Sequence, residues 1–376
     1  MTTTRREHVE PSVEAVVVEA NPRGHRLVYV GLLGHELGAG RWMLVTSPGV
    51  EAATEYVQHV APCAPHAVVE LTGGTRTLLR AALRVAERAG AGSVVIPDAD
   101  RYLPAIVTSP RLWTRSAPRV RCLVMRTPSR GSGVRGTLRV AVKVVLAYVV
   151  SRMPGVQTWF LTDAFGAVDR RPLYPGLRPV PDPVRAPVPS HASPPPWTTA
   201  LATVGVVGTV ASRKNVELLV EAARREGGTA VVLAGRLDDT LRTVWRTSPV
   251  WAEMIEQGRL VVMDRYLSGP EFDAAVRALG AVAVLHDNDA PSGILGEAAA
   301  RGVPAIVPED GWLGDVARST GAAVTTRLTE ADVASALTRV REDAPRLRRR
   351  AESAAARLGS RSFVLALTAG VREVQP

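Results

Sequence analysis

The sequence predicts an α/β protein with two doubly wound parallel sheets that face each other across a cleft. Short apolar segments alternate with amphipathic helical segments along most of the 376 residues, a length typical of two domains. The apolar segments are continuous, as expected for parallel strands that are buried on both faces. A proline-rich segment interrupts the alternation, which then starts again. The pattern therefore predicts two Rossmann-like halves.

Each half is predicted to contain six strands. In the first half these are Ala15–Val18, Trp42–Thr46, Ala67–Leu71, Ser93–Ile96, Val120–Val124 and Gln157–Leu161. In the second half they are Val204–Val207, Ala230–Leu233, Leu260–Met263, Ala281–Leu285, Ala305–Val307 and Ala322–Thr325. Because proline removes backbone donors and favours extended chain, the segment from Arg171 to Pro196 is interpreted as a connection between the halves.

We therefore expect a first domain over 1–180, a linker over 181–200 and a second domain over 201–360, with a further helix over 361–376. Open α/β sheets bind ligands at the carboxyl ends of their strands. Ligands are accordingly expected in the cleft between the two halves.

Composition excludes several classes of protein. Hydrophobic residues make up 46% of the chain, which argues against disorder. No apolar run approaches the roughly 18–20 residues that span a bilayer, and the first residues lack the apolar core of a signal peptide. The net charge of +10 is scattered and aromatic residues make up only 5%, so we expect no nucleic-acid partner. Cys63 and Cys122 have no metal spacing, and free thiols in a cytoplasmic protein are expected.

One segment of the second half combines a helix start with two carboxylates. Ser292, Gly293 and Ile294 lie where a helix begins, and Gly302 lies where it ends. Asp289 precedes the helix and Glu297 lies within it. Because the first turn of a helix offers unpaired N–H groups, this pattern suits a ligand with phosphates at one end and hydroxyls at the other. A nucleotide sugar is such a ligand.

A second segment places positive charge after the first strand of the same half. Gly208 allows a close approach of the backbone to a ligand, and Arg213 and Lys214 follow at a helix start. The spacing is not that of a Walker loop. A solvated basic pair is the simpler alternative. Since both segments follow strands of one sheet, we expect them to converge at its carboxyl edge.

In the order and spacing of these motifs, the chain resembles the retaining glycosyltransferases with the GT-B fold, of the large family-4 type. The resemblance covers most of the chain and is strongest from Val204 to Thr325. It is carried by the following residues: Gly208, Arg213-Lys214, Leu233-Ala234-Gly235-Arg236, Asp289-x7-Glu297-Ala298, Gly302, Pro304 and Gly311-Trp312-Leu313-Gly314-Asp315-Val316.

The resemblance implies roles for these residues. Arg213 and Lys214 would hold the donor diphosphate, and the N–H groups at Ser292-Gly293-Ile294 would contact its phosphates. Gly208, Gly235 and Arg236 would line the donor site. Glu297 would bind the ribose hydroxyls, and Asp289 would contact the donor sugar. Asp289, Arg213 and Lys214 would be the catalytic residues. The resemblance further implies that neither a metal nor another cofactor is needed, and that the C-terminal helix packs back on the first half.

On the acceptor side we expect Arg23, Gly24 and His25, which follow the first strand, and Arg126, which follows Val120–Val124. An exposed His25 at a helix start, without special role, is the alternative. The G-x-G-x-x-G match over 131–136 lies too far from the preceding strand for a dinucleotide fingerprint and is interpreted as a loop on the acceptor side.

Three basic residues are spaced four apart: Arg135, Arg139 and Lys143. They form either a solvated face or a contact with anionic lipid or an acceptor phosphate, so a peripheral contact with the inner face of the membrane stays open. The predicted function is the transfer of a sugar from a nucleotide diphosphate sugar to an acceptor hydroxyl, with retention of configuration. Two alternatives also stay open: a non-catalytic nucleotide-sugar-binding relative and a nucleotide-sugar epimerase.

Overall fold

The computed structural model describes residues 12–21, 26–114, 118–125, 133–168, 174–185, 197, 202–286, 292–358 and 360–369. Within these ranges the chain forms a seven-stranded and a six-stranded sheet, one from each half. All the strand pairs described are parallel. The predicted fold class, two doubly wound parallel sheets, is confirmed.

The first sheet has the strand order β3-β2-β1-β4-β5-β6-β7. Its strands are β1 Ala15–Glu19, β2 Trp42–Thr46, β3 Ala67–Glu70, β4 Ser93–Ile96, β5 Arg119–Val124, β6 Val156–Thr162 and β7 Arg178–Pro181. The helices of this half are α1 Arg26–Leu37, α2 Thr54–His59, α3 Thr75–Ala89, α4 Leu103–Val107 and α5 Gly133–Ser151.

The second sheet has the order β10-β9-β8-β11-β12-β13. Its strands are β8 Ala202–Val207, β9 Thr229–Ala234, β10 Leu260–Met263, β11 Ala281–Ala283, β12 Ala305–Pro308 and β13 Ala323–Thr326. The helices of this half are α6 Val216–Glu226, α7 Asp239–Thr247, α8 Pro249–Glu256, α9 Gly269–Arg277, α10 Gly293–Ala299, α11 Gly311–Thr320, α12 Glu330–Glu342, α13 Ala344–Ala355 and α14 Ser360–Thr368.

Strand β7 was not predicted, because it lies in the proline-rich segment. Its sequence is Arg-Pro-Val-Pro, and among the described strands it pairs with β6 alone, at the edge of the first sheet. An edge strand tolerates proline because one side of its backbone needs no ladder partner. The first sheet therefore extends into the segment that composition alone marks as a linker.

Both sheets reverse their winding direction once. In the first sheet the reversal lies between β1 and β4, and in the second it lies between β8 and β11. At such a point the loops that leave two neighbouring strands turn to opposite faces of the sheet and leave a crevice at the carboxyl edge. The two crevices mark where each half can bind a ligand.

Burial on both faces of the central strand explains its continuous apolar sequence. Val16 and Val18 of β1 pack in one cluster with Leu78 of α3, whereas Ala15 and Val17 belong to a second cluster on the opposite face. That second cluster contains residues of α1 and also Phe363, Val364 and Leu367 of α14. The last helix described thus packs on the first half of the chain.

The two halves meet along a cleft. Tyr266 of the second half donates a hydrogen bond to Gln58 Oε1 of the first at 3.2 Å. A cavity of about 600 Å³ lies between them, with Leu32 and His59 on one side and Ser268 and Pro270 on the other. The walls contributed by both halves show that the sheets face each other across a shared space.

Candidate functional site

The crevice of the second sheet has a floor made by two glycines. Gly208 follows β8 and its N–H donates to the carbonyl of Ala234 at 3.0 Å, while the N–H of Gly235 donates to the carbonyl of Met263 at 3.0 Å. Gly208 has a φ of +86° and Gly235 a φ of +143°. A Cβ atom at residue 235 would overlap the carbonyl oxygen of Gly208. Only glycine therefore permits this close approach of the two strand ends.

A short turn over Ser212–Lys214 holds the predicted basic pair beside the floor. Asp238 accepts hydrogen bonds from the backbone N–H of Ser212 at 2.8 Å and from its hydroxyl at 3.0 Å. The turn ends at Asn215, whose side chain donates to the carbonyl of Leu285 at 2.6 Å. These hydrogen bonds join the turn to Asp238 and to the segment that follows β11. They therefore fix the backbone positions of Arg213 and Lys214.

Three cations lie in the loops that follow the two glycines of the floor. Arg213 and Arg236 are exposed, and Lys214 is half-buried. Within the part of the chain that the structure describes, none of the three forms an ion pair with a carboxylate. Burial, and to a smaller degree the charge of Arg213, lowers the pKa of Lys214 to about 8. A cationic site without a matching carboxylate attracts an anionic ligand.

Helix α10 adjoins the same floor. It begins at Gly293 after Ser292, which takes the N-cap position. A Cβ atom at residue 208 would lie 3.8 Å from Ile294 Cδ1, so the loop after β8 and the start of α10 are neighbours. The structure thus brings together Gly208, Gly235, Arg213, Lys214, Arg236 and the residues Ser292, Gly293 and Ile294.

Glu297 is engaged in a buried network. Its side chain is 11% exposed and accepts from Arg301 Nη1 at 2.6 Å. It also accepts from the backbone N–H and from Nε of Arg185, both at 3.2 Å. Arg301 donates in turn to Asp273 from Nε at 3.0 Å. The predicted ribose ligand is therefore also the link between α10, α9 and the segment that connects the two halves.

Five of the predicted site residues lie outside the described residues: Asp289, Arg23, Gly24, His25 and Arg126. Their roles remain predictions. Of the predicted basic stripe, Lys143 forms an ion pair with Asp100 at 2.9 Å and is largely turned inward. The stripe is therefore not a uniformly solvated face.

The crevice of the first sheet contains acidic residues that the sequence reasoning missed. Glu19 ends β1 and is 2% exposed, and Asp98 lies two residues beyond β4. Asp98 forms an ion pair with Arg26 Nη2 at 2.7 Å. Burial raises the pKa of Glu19 to about 7, although the N–H of Asn21 donates to its carboxylate at 2.8 Å. A signal was present, since an acidic residue directly after four apolar residues is unusual in a buried strand.

A further buried carboxyl lies where the connecting segment leaves the first half. Asp182 follows β7 and accepts from the hydroxyl of Tyr29 at 2.6 Å. Burial raises the pKa of Asp182 to about 7. The bond joins α1 to the connecting segment beside the start of α10, because a Cβ atom at residue 293 would lie 3.5 Å from Asp182 Oδ2.

Across the described ranges there is no group of three or more His, Cys, Asp or Glu side chains placed to hold a metal ion. The same ranges contain no helix with the length and apolar character needed to cross a membrane.

No protein-family model and no curated protein sequence matches this chain. Several solved structures, in contrast, match nearly the whole chain. The chain is similar to HepE of Anabaena in complex with UDP, with 12% identity, a TM-score of 0.67 and coverage of 96% of this chain and 100% of HepE. HepE has also been solved with UDP-glucose, at 15% identity and a TM-score of 0.64, with 96% and 98% coverage.

Two further structures cover nearly the whole chain. Sucrose-phosphate synthase of Thermosynechococcus elongatus is 16% identical with a TM-score of 0.65, over 95% of this chain and 97% of that one. The α,α-trehalose 6-phosphate synthase of Burkholderia multivorans is 13% identical with a TM-score of 0.61, over 96% and 99%. At such identities the likeness establishes the fold, and this fold is the GT-B arrangement of two Rossmann-like domains across a cleft.

Proposed function

We propose that the chain is a glycosyltransferase that moves a sugar from a nucleoside diphosphate sugar to an acceptor hydroxyl, with retention of configuration. The observation that carries the proposal is a set of three cations, Arg213, Lys214 and Arg236, in the loops that follow Gly208 and Gly235, for which the described residues supply no carboxylate partner. The carboxyl edge at the reversal of an open α/β sheet is where such sheets bind nucleotides. The structures of HepE with UDP and with UDP-glucose support the same class of ligand.

The donor site is assigned as follows. Gly208 and Gly235 admit the diphosphate close to the backbone, and Arg213 and Lys214 offset its charge with charge-assisted hydrogen bonds. The N–H groups at Ser292-Gly293-Ile294 face the phosphates, Glu297 takes the ribose hydroxyls and Asp289 takes the donor sugar. Because Glu297 Oε1 already accepts from Arg185, a bound ribose would replace that bond or share it.

The reaction needs no resident metal in this proposal. The bond from the anomeric carbon to the diphosphate oxygen breaks, and the acceptor oxygen bonds to that carbon on the same face. The acceptor proton passes to an oxygen of the leaving diphosphate. Arg213 and Lys214 stabilise the charge that develops on the diphosphate, and such preorganised electrostatics are often the largest catalytic contribution.

The acceptor lies on the side of the first half. Arg23, Gly24, His25 and Arg126 lie outside the described residues, and we assign them to the acceptor from their positions in the sequence, after strands of the first sheet. Glu19 and Asp98 lie at the crevice of the same sheet and add polar groups to that side of the cleft. We place the protein in the cytoplasm, where nucleotide sugars are available.

A non-catalytic nucleotide-sugar-binding protein is the second candidate. One observation favours it: the Glu297 carboxylate is already bonded to Arg301 and Arg185. Such a protein would bind UDP-glucose without transferring or hydrolysing its sugar. An epimerase would convert the donor with no acceptor present.

Calorimetric titration with UDP, ADP, GDP and the matching nucleosides tests the donor site. Lys214→Ala and, separately, Arg213→Ala are expected to weaken binding of the preferred diphosphate by about 10- to 100-fold, because each removes a charge-assisted bond worth roughly 1.5–3 kcal/mol. Nucleoside binding is expected to stay unchanged.

Arg224→Ala is the control, since it removes one positive charge from an exposed position that pairs with Glu221. Equal losses for nucleoside and diphosphate in the Lys214 variant would contradict the phosphate role. Release of labelled sugar from the preferred donor, followed with and without an acceptor extract, separates transfer from binding alone and from epimerisation.

A further inference from the structure

Helix α5 exposes an apolar face to solvent. Four of its large side chains are well exposed: Leu138 at 64%, Val142 at 51%, Val145 at 59% and Tyr148 at 40%. Their spacing of three and four residues puts them on one side of the helix. We call these four residues the α5 apolar face. Contiguous exposed apolar residues of this kind mark an interaction surface, whereas single ones are ordinary.

The opposite side of α5 is fixed to the protein. Ala147 and Val150 are fully buried in the core of the first half. Lys143 forms its ion pair with Asp100 from the same inward side. These contacts fix the rotation of α5 about its own axis, so the α5 apolar face lies on the surface of the protein.

The stretch of sequence that contains this helix is strongly basic. Residues 101–162 contain eleven basic residues and no acidic one, in a chain whose net charge is +10. Arg101, Arg119 and Arg152 of this segment are exposed. The Arg152 guanidinium lies over the ring of Tyr148, 5.5 Å from its centroid, at the end of the apolar face. Arg152 thus places a cationic group beside the α5 apolar face.

We infer that the α5 apolar face, together with Arg152 and the other exposed basic residues of 101–162, docks the protein on an anionic lipid bilayer surface. A helix that lies in a membrane interface combines buried apolar side chains with basic residues that attract anionic headgroups. A second copy of the chain suits this surface less well, because two strongly basic surfaces repel each other. Charge complementarity therefore selects the bilayer.

The position of α5 gives this contact a consequence for the cleft. The helix follows β5, which ends at Val124 on the carboxyl edge of the first sheet. Its amino-terminal end accordingly lies on the cleft side and its carboxyl-terminal end lies at the far edge of the sheet. Docking along α5 would hold the cleft beside the bilayer. The inference stands on the surface alone and does not require the proposed function.

Vesicle co-sedimentation of the full chain tests the inference. Vesicles of equal parts phosphatidylcholine and phosphatidylglycerol are compared with vesicles of phosphatidylcholine alone. The wild-type chain is expected to sediment with the anionic vesicles only, and less so at about 0.5 M salt, where exposed charges are screened over a few ångströms. Val145→Asp is expected to lower the partition coefficient about tenfold, because a carboxylate then faces both lipid tails and anionic headgroups.

Val57→Asp is the matched control. Val57 is 58% exposed on α2, so this variant adds the same charge at a helical valine of nearly the same exposure as Val145. It is expected to bind anionic vesicles like the wild type, and circular dichroism checks that both variants fold. The inference is overturned if the wild type ignores anionic vesicles, or if both variants bind equally well. It is also overturned if sedimentation velocity shows dimers that Val145→Asp alone abolishes.

Discussion

The Arg301 guanidinium lies one helical turn after Glu297 and donates to its carboxylate at 2.6 Å, with the Arg301 side chain only 1% exposed. Arg301 also forms an ion pair with Asp273, and Arg185 supplies a second cation to Glu297, so two cations balance the two carboxylates. A buried charge that loses its partner costs several kcal/mol, because it cannot return to water. Glu297 therefore has a structural task in addition to the ribose contact we propose.

Glu297→Gln separates these two tasks when it is compared with Asp273→Asn. Each variant removes one of the two carboxylates that accept from Arg301, so each is expected to lower the free energy of unfolding by about 1.5–3 kcal/mol in urea titrations, the cost of a lost hydrogen bond to a charged group. Only Glu297→Gln is expected to weaken UDP binding, by about 1–2 kcal/mol, since it removes the charged acceptor of the ribose hydroxyls. Equal UDP affinities in the two variants would reduce Glu297 to a purely structural residue.

The pKa of Lys214 predicts how donor binding varies with pH. Burial and Arg213 lower this pKa to about 8, so the free protein loses the ammonium charge as the pH rises above that value. The diphosphate prefers the charged form, and its affinity is therefore expected to fall between about pH 8 and 10. Lys214→Arg should flatten the profile because arginine stays charged. In Arg213→Ala the fall should begin at higher pH, since a like charge is gone. An unchanged profile in Lys214→Arg would show that another group titrates.

Gly235→Ala tests the glycine floor. The new methyl group would overlap the Gly208 carbonyl at a φ of +143°, so a loss of stability of about 3 kcal/mol or more is expected, together with weaker UDP binding. Gly258→Ala is the control, because its φ of +67° strains alanine while the space around it is open. That variant is expected to lose roughly 1–2 kcal/mol and to keep its UDP affinity. Similar urea midpoints for Gly235→Ala and Gly258→Ala would argue against the close approach of residue 235 to the Gly208 carbonyl.

The strands and their parallel order follow from the sequence because strands buried on both faces must be apolar throughout. Strand β7 was not predicted because Pro179 and Pro181 are acceptable only in an edge strand. Whether a strand lies at the edge is decided by the assembled sheet and cannot be read from the segment itself. The convergence of Gly208 with the start of α10 was predictable from the rule for strand ends. The pairing of Glu297 with Arg185 was not, because it joins residues 112 positions apart in sequence.

Glu19 predicts a pH dependence of stability. The pKa of Glu19 is 4.5 in the unfolded chain and about 7 in the folded protein, so the folded protein binds the Glu19 proton more tightly. The stability that this proton contributes is fully present below about pH 4.5 and is lost as the pH rises through 7. Glu19→Gln cannot ionise and still accepts from the Asn21 N–H. The variant is therefore expected to gain stability relative to the wild type between pH 4.5 and 7, on the order of 3 kcal/mol. Glu51→Gln, at an exposed position, should show no such gain. If the difference in unfolding free energy between Glu19→Gln and the wild type does not vary with pH, the proposed rise in the pKa of the buried Glu19 carboxyl is wrong.

The last prediction concerns the coupling of the two halves by α14. Phe363 is fully buried and its ring lies 5.1 Å from the ring of Tyr29 on α1, whereas Leu365 of the same helix is 42% exposed. Phe363→Ala is expected to lower the free energy of unfolding by about 3–5 kcal/mol, and Leu365→Ala by less than about 1 kcal/mol.

Since α14 follows the second half in sequence but packs on the first, its loss should also free the two halves to move independently. Deletion of 361–376 is accordingly expected to lower the rate of sugar transfer more than it lowers UDP affinity, because the donor site that we propose is built mainly from residues of the second half. A truncated chain that unfolds at the wild-type urea midpoint and transfers sugar at the full rate would show that α14 does not couple the halves.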